Sequence, residues 1–496
     1  MTVRTRFAPS PTGYLHIGGL RTALYNYLFA KARGGTFVLR VEDTDQSRSV
    51  DGAVDNMLRS LEWAGIVPDE GVLMQDGVQS EVGAYGPYTQ SQRLERYRVQ
   101  VRRLIESGDA YYCFCDAERL QAVRAAQQAA KQPPMYDGHC RGIASEEAEK
   151  RVREGASYVV RLAVPRGETI VIDDEVRGRI TVETDTIDDQ VLLKSDGFPT
   201  YHLASVVDDH EMRITHVIRG EEWLPSTPKH ILLYRAFGWD APRFAHVPLL
   251  LNPDRSKLSK RQGDVAVEDY KEKGFLPQAL VNFVALLGWN PGKGETQEIF
   301  TMEELQERFS LHDVNASGAV CDLSRLRWFN MQHIKRMNPQ QLVEAALPFL
   351  QTQEFFRVAD ERYTHSEYLY RVAAVVRERL ETLAEFGVEQ AAYFFARPEI
   401  SDVNMLRWKK NTDEETRAAL SHALTVLRAI PEDEWTREAI ERELMEAAGE
   451  KRGDLLWPVR VALTGAKRSP SPFECAWVLG KEETLERIVQ AIDTIA

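Results

Sequence analysis

Short apolar strands alternate with amphipathic helices over the first part of the chain. Residues 3–7 alternate like a short strand, and apolar side chains then recur at helical spacing over 20–28. The Gly-Gly pair at 34–35 ends this helix, and residues 36–41 have the continuous apolar character of a buried strand. The same alternation returns over 195–252, which predicts two halves of one doubly wound parallel sheet.

The character of the sequence changes twice farther along. Between the two halves, an alanine- and glutamine-rich helix at 117–131 precedes alternating runs typical of strands, which predicts an inserted α+β module. After Asp322 strand signals end, and helical periodicity predicts an all-α region. The predicted helices of that region cover residues 338–351, 366–395, 412–430, 434–449 and 476–495.

We therefore expect an α/β protein: a doubly wound parallel, Rossmann-type domain with an inserted α+β module and an all-α C-terminal region. The expected boundaries are 1–95 and 195–252 for the two halves of the α/β domain, 96–194 for the insertion, 253–330 for a connecting region, and 331–395 and 396–496 for two helical domains.

A polar loop, residues 9–19 (PSPTGYLHIGG), separates the first strand from the first helix. A helix N-terminus offers unpaired N–H groups and the positive end of the helix dipole, which suit a phosphate. The loop contains neither GxGxxG nor GxxxxGK[ST]. It is therefore neither the fingerprint loop of a Rossmann dinucleotide-binding fold nor a P-loop. An ordinary strand-to-helix turn would need only the prolines and glycines, whereas His16 adds a side-chain donor at the helix start.

A second basic loop follows the apolar run at 244–251. It reads Lys257-Leu-Ser-Lys260-Arg261. Two lysines on a polar loop are usually solvated surface residues. In combination with the first loop, however, this basic segment is one of the features that carry a family resemblance.

Seven segments carry a family resemblance. They are RFAPSPTGYLHIGGLRTALYNYL at 6–28, VEDTD at 41–45, GPYTQSQR at 86–93, KSDGFPTYHLASVVDDH at 194–210, HVIRGEEW at 216–223, KLSKR at 257–261 and LRWFN at 326–330. The first and sixth resemble the HIGH and KMSKS signatures of class I aminoacyl-tRNA synthetases, with Gly19 at the last position of HIGH. The ordered series, over essentially the whole chain, resembles the bacterial glutamyl-tRNA synthetases.

This resemblance implies an enzyme that uses ATP to activate L-glutamate and then charges tRNA(Glu). It implies His16, Lys257 and Lys260 as catalytic residues, and Mg²⁺ held largely by ATP phosphates and water. The residues implied to contact ATP are Pro9, Gly13, His16, Gly18, Gly19, Leu249, Lys257 and Lys260. The all-α region is implied to bind the anticodon, and the insertion to handle the acceptor end of tRNA.

Glutamate presents two carboxylates and one ammonium group, so its site needs arginines and an acid. By resemblance, the glutamate-binding residues are Arg6, Ala8, Ser10, Glu42, Tyr201 and Arg219. Arg6 and Arg219 would face carboxylates and Glu42 the ammonium. Glutaminyl enzymes of the same architecture carry a neutral residue at the position of Arg219, so this arginine favours glutamate.

The bulk composition is that of an ordinary globular protein. Its net charge of −13 requires that tRNA be held by local basic patches. With the resemblance, the tRNA-binding candidates are Arg325, Arg327, Arg377 and Arg379, together with the arginines of residues 93–103.

We expect no membrane partner, because no apolar run approaches the ~20 residues of a membrane-spanning helix, and the N-terminus has no signal-peptide character. Five cysteines, an odd number, predict reduced thiols and a cytoplasmic protein; the usual form of the family implies a monomer.

Cys113, Cys115 and Cys140 have the spacing of a zinc knuckle within the insertion. Some members of the family bind zinc here, but Gly142 stands where others place histidine. Tyr136 or His139 would be the fourth ligand. Metal-free buried thiols are the alternative.

Three other functions fit parts of the sequence: a small-molecule nucleotidyltransferase of the HIGH superfamily, a paralogue that glutamylates a tRNA base, and a catalytically silent tRNA-binding module. The long α-helical extension disfavours the first two. The intact His16, Lys257, Lys260, Arg6 and Arg219 disfavour the third. Whether tRNA(Gln) is also charged stays open.

Overall fold

The computed structural model describes residues 2–256, 258, 266–292, 294–386, 391–400 and 402–495. They form two compact units. The α/β unit comprises Met1–Asp269 and Leu280–Asp322, and the helical unit comprises Tyr270–Ala279 and Leu323–Ala496.

The strands all belong to the α/β unit. They are β1 (Arg4–Phe7), β2 (Thr36–Leu39), β3 (Glu70–Gln75), β4 (Val78–Val82), β5 (Ala110–Cys113), β6 (Val159–Leu162), β7 (Thr169–Asp174), β8 (Gly178–Glu183), β9 (Val191–Leu193), β10 (His216–Gly220), β11 (Arg243–Val247), β12 (Leu250–Leu251) and β13 (Ala319–Val320). The helices of this part of the chain are α1 (Ile17–Lys31), α2 (Ala53–Trp63), α3 (Leu94–Glu106), α4 (Ala117–Ala129), α5 (Ser145–Arg153), α6 (Tyr201–Glu211), α7 (Thr227–Phe237), α8 (Val267–Glu272), α9 (Pro277–Ala285) and α10 (Met302–Arg308).

Two four-stranded sheets build the expected doubly wound fold. Their strand orders are β1-β2-β3-β4 and β10-β11-β7-β8, with parallel pairing except at the edge strands β4 and β8. Beside β1 and β10, the backbone N–H of Thr215 donates to the carbonyl of Arg4 (2.9 Å) and links the two sheets. The carboxyl ends of β1 and β10 consequently open on the same side, where such folds bind ligands.

Within the predicted insertion, β5, β6 and β9 form an antiparallel sheet accompanied by α4 and α5. β7 and β8 also come from this stretch of sequence. They nevertheless extend the sheet of β10 and β11, through the pairing of Asp174 with Phe244. Asp174 is thereby brought beside the second half of the α/β domain.

The continuous apolar run at 244–251 predicts a single strand, but the structure forms two separate strands there. Proline has no backbone N–H and cannot continue a ladder, and Pro248 separates β11 from β12. β12 instead pairs with β13. The chain therefore changes direction just before the second basic loop.

The helical unit has no strand among the described residues, as predicted. Its helices are α11 (Leu323–Arg336), α12 (Pro339–Thr352), α13 (Glu354–Arg357), α14 (Ser366–Val376), α15 (Leu383–Phe386), α16 (Ala392–Phe395), α17 (Asp413–Ala429), α18 (Arg437–Ala448), α19 (Arg452–Thr464), α20 (Pro472–Leu479) and α21 (Lys481–Thr494). The helix α17 lies within the predicted range 412–430 and begins with a capping box formed by Thr412 and Glu415.

Three helix predictions in this unit were wrong. The helix expected over 366–395 is broken into α14, α15 and α16. The helix expected over 476–495 is divided at Gly480, whose φ of +82° suits glycine best. The helices α11 and α19 have no counterpart among the predicted helices; in α19, the mixture of apolar and polar positions has weak helical periodicity.

Candidate active site

A cavity of about 790 Å³ lies at the carboxyl ends of β1, β2 and β10, within the size range of small-molecule sites. The structure brings together around it every predicted ATP and glutamate residue that it describes: Arg6, Ala8, Pro9, Ser10, Gly13, His16, Gly18, Gly19, Glu42, Tyr201, Arg219 and Leu249. Leu258, in the second basic loop, also lines it. Lys257 and Lys260 lie outside the described residues.

His16 is positioned by the first turn of α1, of which it is the N-cap. Its Nδ1 accepts a hydrogen bond from the backbone N–H of Gly19 (3.2 Å). A neutral imidazole that accepts at Nδ1 carries its proton at Nε2, so the ring offers an N–H donor at the helix N-terminus. A Cβ at Gly18 would lie 3.0 Å from the His16 ring, which explains why the residue two positions after the histidine is glycine. This turn can therefore donate to an oxyanion.

Arg219 lies at the end of β10 and is only 4% exposed. Its guanidinium donates to the Tyr201 hydroxyl (2.6 Å), to Thr227 Oγ1 (2.9 Å) and, through Nε, to His246 Nε2 (3.1 Å). It forms no ion pair with any carboxylate of the described chain. A buried cation whose neighbours are all neutral acceptors favours an anionic ligand.

Two more histidines, besides His246, surround this arginine and are uncharged. Burial, together with the nearby charges of Lys229 and Arg219, lowers the pKa of His202 to about 3. Burial likewise lowers the pKa of His230 far below its usual value. The wall behind Arg219 therefore adds no positive charge of its own.

Glu42 belongs to a buried network of ion pairs on the other side of the cavity. Arg40 donates to Glu42 Oε1 (2.9 Å) and to Asp209 Oδ1 (2.8 Å), and Asp209 also accepts from Arg6 Nε (3.1 Å). Burial raises the pKa of Glu42, and the attraction of Arg40 and Arg6 opposes this rise. The network fixes both Arg6 and Glu42 at the cavity wall.

Sequence reasoning missed Arg40, Asp209 and His246, which hold the predicted site residues in place. Asp209 lies in the segment KSDGFPTYHLASVVDDH. Its two adjacent acids, which follow an apolar stretch, were the feature of the sequence that could have indicated a buried ion pair. Arg93 was proposed among the basic tRNA contacts, and this prediction was wrong. Its guanidinium is fully buried and pairs with Asp208 (2.7 Å) and Glu211 (2.6 Å).

The three cysteines of the insertion converge. The Sγ atoms of Cys113, Cys115 and Cys140 lie within 4.8 Å of one another. The Tyr136 hydroxyl lies 3.4 Å from both Cys113 Sγ and Cys115 Sγ. His139 is exposed and does not join this group. Three sulfurs and one phenolic oxygen match the number of donors in a tetrahedral zinc site, and cysteine thiolates are among the usual zinc ligands.

The predicted tRNA-binding arginines lie on two adjacent elements of the helical unit. Arg325 and Arg327 are on α11, where the Arg325 guanidinium lies 4.2 Å from the centre of the Trp328 ring and Arg327 pairs with Glu381 (3.2 Å). Arg377 and Arg379 lie in one short 3₁₀ turn. Arg377 donates to the carbonyl of Met337 (3.0 Å), whereas the Arg379 side chain is exposed.

Across the described residues, every helix is too short or too polar to cross a bilayer.

The chain matches known proteins over nearly its whole length. Residues 2–328 match the family "tRNA synthetases class I (E and Q), catalytic domain", and residues 341–492 match an "Anticodon binding domain" family. The glutamate–tRNA ligase of Clostridioides difficile is 47% identical over 506 residues, with 100% of both chains covered. That of Chlorobium luteolum is 48% identical over 505 residues, with 99% of this chain and 98% of the relative covered.

Among solved structures, a glutamate tRNA ligase from Elizabethkingia meningosepticum in complex with its amino acid has a TM-score of 0.88 at 36% identity, and 100% of each chain is covered. With the Rossmann-type fold, the loop of His16 and the helical unit, these matches define a class I aminoacyl-tRNA synthetase. Within that class, the chain belongs to the glutamate–tRNA ligase family.

Proposed function

We propose that the protein activates L-glutamate with ATP to glutamyl-adenylate and pyrophosphate, and then transfers glutamate to the 3′-terminal adenosine of tRNA(Glu). One observation carries this proposal. A single cavity contains a buried arginine without a carboxylate partner among the described residues, an acid, and a helix N-terminus that carries an imidazole donor.

In the first step, a carboxylate oxygen of glutamate attacks the α-phosphorus of ATP, and pyrophosphate leaves. No protein nucleophile is required, so the protein must position the reactants and stabilise charge. His16 would donate from Nε2 to the phosphate oxygens as negative charge builds up. Lys257 and Lys260 would neutralise the α-phosphate and the leaving pyrophosphate. The remaining ATP contacts are Pro9, Gly13, Gly18, Gly19 and Leu249. Mg²⁺ would accompany ATP and be held largely by its phosphates and water.

The opposite charges of the cavity orient glutamate between them. Arg219, with the Tyr201 hydroxyl beside it, would bind one carboxylate, and Arg6 would face the other. Glu42 would receive the ammonium group, while Ala8 and Ser10 complete the wall. Glutamine would leave the Arg219 cation without an anion, which is costly in a buried site.

In the second step, a hydroxyl of the terminal adenosine attacks the carbonyl carbon of the adenylate, and AMP leaves. Arg325, Arg327, Arg377 and Arg379 would bind tRNA. These arginines would make the affinity for tRNA depend on salt concentration, because each contact with a phosphate releases counterions.

Charging of purified tRNA(Glu) and tRNA(Gln) with labelled glutamate tests this function. We expect ATP-dependent charging of tRNA(Glu). Pyrophosphate exchange should be measured with tRNA present, since members of the family often require tRNA for activation. Exchange that depends on glutamine, or on neither amino acid, would contradict the proposal.

We also propose that Cys113, Cys115, Cys140 and Tyr136 hold a structural zinc ion, which would tie β5 to the loop before α5. Protein purified without chelators should contain stoichiometric zinc by mass spectrometry. Cys140→Ser should lose the zinc, because only three of the four donors would then remain to hold it. The matched control is Cys321→Ser, a buried thiol outside the cluster. Zinc-free wild-type protein would favour the alternative of metal-free thiols.

We further propose a cytoplasmic monomer. None of the five cysteines forms a disulfide bond, although Cys115 Sγ and Cys140 Sγ are only 3.5 Å apart. This state agrees with a reducing compartment. Light scattering at enzyme concentrations used in the assay tests the oligomeric state.

A further inference from the structure

A line of buried polar side chains crosses three neighbouring strands behind the cavity. Arg219 on β10 lies directly opposite His246 on β11, and Asp174 ends β7 on the other side of β11. His246 Nδ1 lies 2.6 Å from Asp174 Oδ2, and His246 Nε2 accepts from Arg219 Nε (3.1 Å). Asp174 and His246 are buried, and neither lines the cavity.

The hydrogen bonds fix the tautomer of this histidine. Asp174 Oδ2 can only accept, so His246 Nδ1 carries the proton and Nε2 carries a lone pair. This lone pair accepts from Arg219 Nε, and the Thr227 hydroxyl also lies 3.1 Å from Nε2. Burial lowers the pKa of His246, even though Asp174 opposes the shift. The imidazole is therefore a neutral acceptor that orients the arginine without neutralising it.

The second oxygen of Asp174 is committed elsewhere. Asp174 Oδ1 accepts from the backbone N–H groups of Val176 (3.0 Å), Arg177 (2.9 Å) and His246 (3.2 Å). These three donors compensate part of the buried negative charge and prevent the carboxyl group from turning. The carboxylate is thus held one imidazole away from Arg219, too far to form an ion pair with it.

We propose that Asp174 and His246 are positioning residues that determine specificity for glutamate over its amide. They hold the Arg219 guanidinium in one orientation and keep its charge available to the substrate carboxylate. This inference rests on the proposed function and extends it to two residues outside the cavity.

Asp174→Asn is the sharpest test. The three backbone donors require the amide oxygen at the position of Oδ1, so the amide NH₂ must face His246 Nδ1. The imidazole would then accept at Nδ1 and carry its proton at Nε2, against the Nε–H of Arg219. We expect the KM for glutamate to rise on the order of 10- to 100-fold, as for a lost hydrogen bond to a charged group, and the KM for ATP to stay within about twofold. The preference for glutamate over glutamine should fall by a similar factor.

Asp173→Asn is the matched control, since Asp173 precedes Asp174 on β7 but is exposed; it should behave as wild type. His246→Leu removes the imidazole that connects Asp174 to Arg219. Asp174→Asn should therefore cause no further loss of specificity when it is combined with His246→Leu. Additive losses, an equal rise in both KM values, or unchanged glutamate constants in Asp174→Asn would overturn the inference. Absence of glutamate-dependent exchange in the wild type would instead overturn the proposed function, and this inference with it.

Discussion

Replacement of His16 by alanine is expected to slow glutamate-dependent ATP–pyrophosphate exchange on the order of 10²- to 10³-fold, the usual loss when a preorganised donor to a developing charge is removed. His16 Nε2 is held at the N-terminus of α1 by the hydrogen bond from Gly19 to Nδ1. If its donor is needed mainly when charge builds up on the phosphates, kcat should fall while the KM for glutamate changes little. Steady-state exchange in the presence of tRNA, with each substrate varied in turn, measures both constants.

His422→Ala provides the control, because His422 is an exposed histidine of α17 in the helical unit. It should leave both constants unchanged. A His16→Ala enzyme with normal kcat and a raised KM for glutamate would place His16 in amino acid binding and remove it from the phosphate chemistry.

The sequence predicted the parts of the site that lie within one segment. The loop of residues 9–19 directly follows the short strand β1 and contains both the cap of α1 and the side-chain donor, so its local sequence is sufficient to predict it. Its helix also begins and ends as expected, because His16 caps the start and Gly34 and Gly35 follow the end. Such features depend on backbone geometry within a few residues.

The contacts that cross the sheet could not be predicted in this way. Asp174, Arg219 and His246 are separated in sequence and meet only because β11 lies between β7 and β10. This strand order is a tertiary property, and no periodicity within a strand encodes it. Arg93 illustrates the reverse error. In sequence it is one of several arginines on a polar helix, but the fold places the acids Asp208 and Glu211 against it.

The buried charges of the α/β unit explain why the cavity can be selective. On one side, Asp209 and Arg40 bind Arg6 and Glu42 in a connected network, so neither substrate-facing group can turn away without breaking an ion pair. Although burial disfavours its charge, Arg6 and Arg40 lower the pKa of Asp209. On the other side, Arg219 is surrounded by neutral acceptors. The positive charge of Arg219 is therefore not compensated by an ion pair with any acid of the described chain.

Arg219→Cys is accordingly expected to reduce kcat/KM for glutamate on the order of 10²- to 10³-fold, within the cost of removing one partner of a buried, hydrogen-bonded charge pair. The Tyr201 hydroxyl and Thr227 remain, but they supply no charge to a carboxylate. The side-chain amide of glutamine is neutral and needs no cation at this position, so kcat/KM for glutamine should change much less. The ratio of kcat/KM for glutamate to that for glutamine should therefore approach one. Exchange assays with both amino acids and tRNA measure this ratio.

Arg235→Cys is the matched control, because Arg235 lies on α7 with its side chain 51% exposed. It controls for the introduced thiol and for the loss of a positive charge from the same unit. An Arg219→Cys enzyme that loses activity toward glutamate yet still rejects glutamine by the same factor would show that the side-chain carboxylate is recognised elsewhere. Arg6, another cation of the cavity wall, would then be the group to test, because its Nε binds Asp209 and its terminal nitrogens have no hydrogen bond to a described residue.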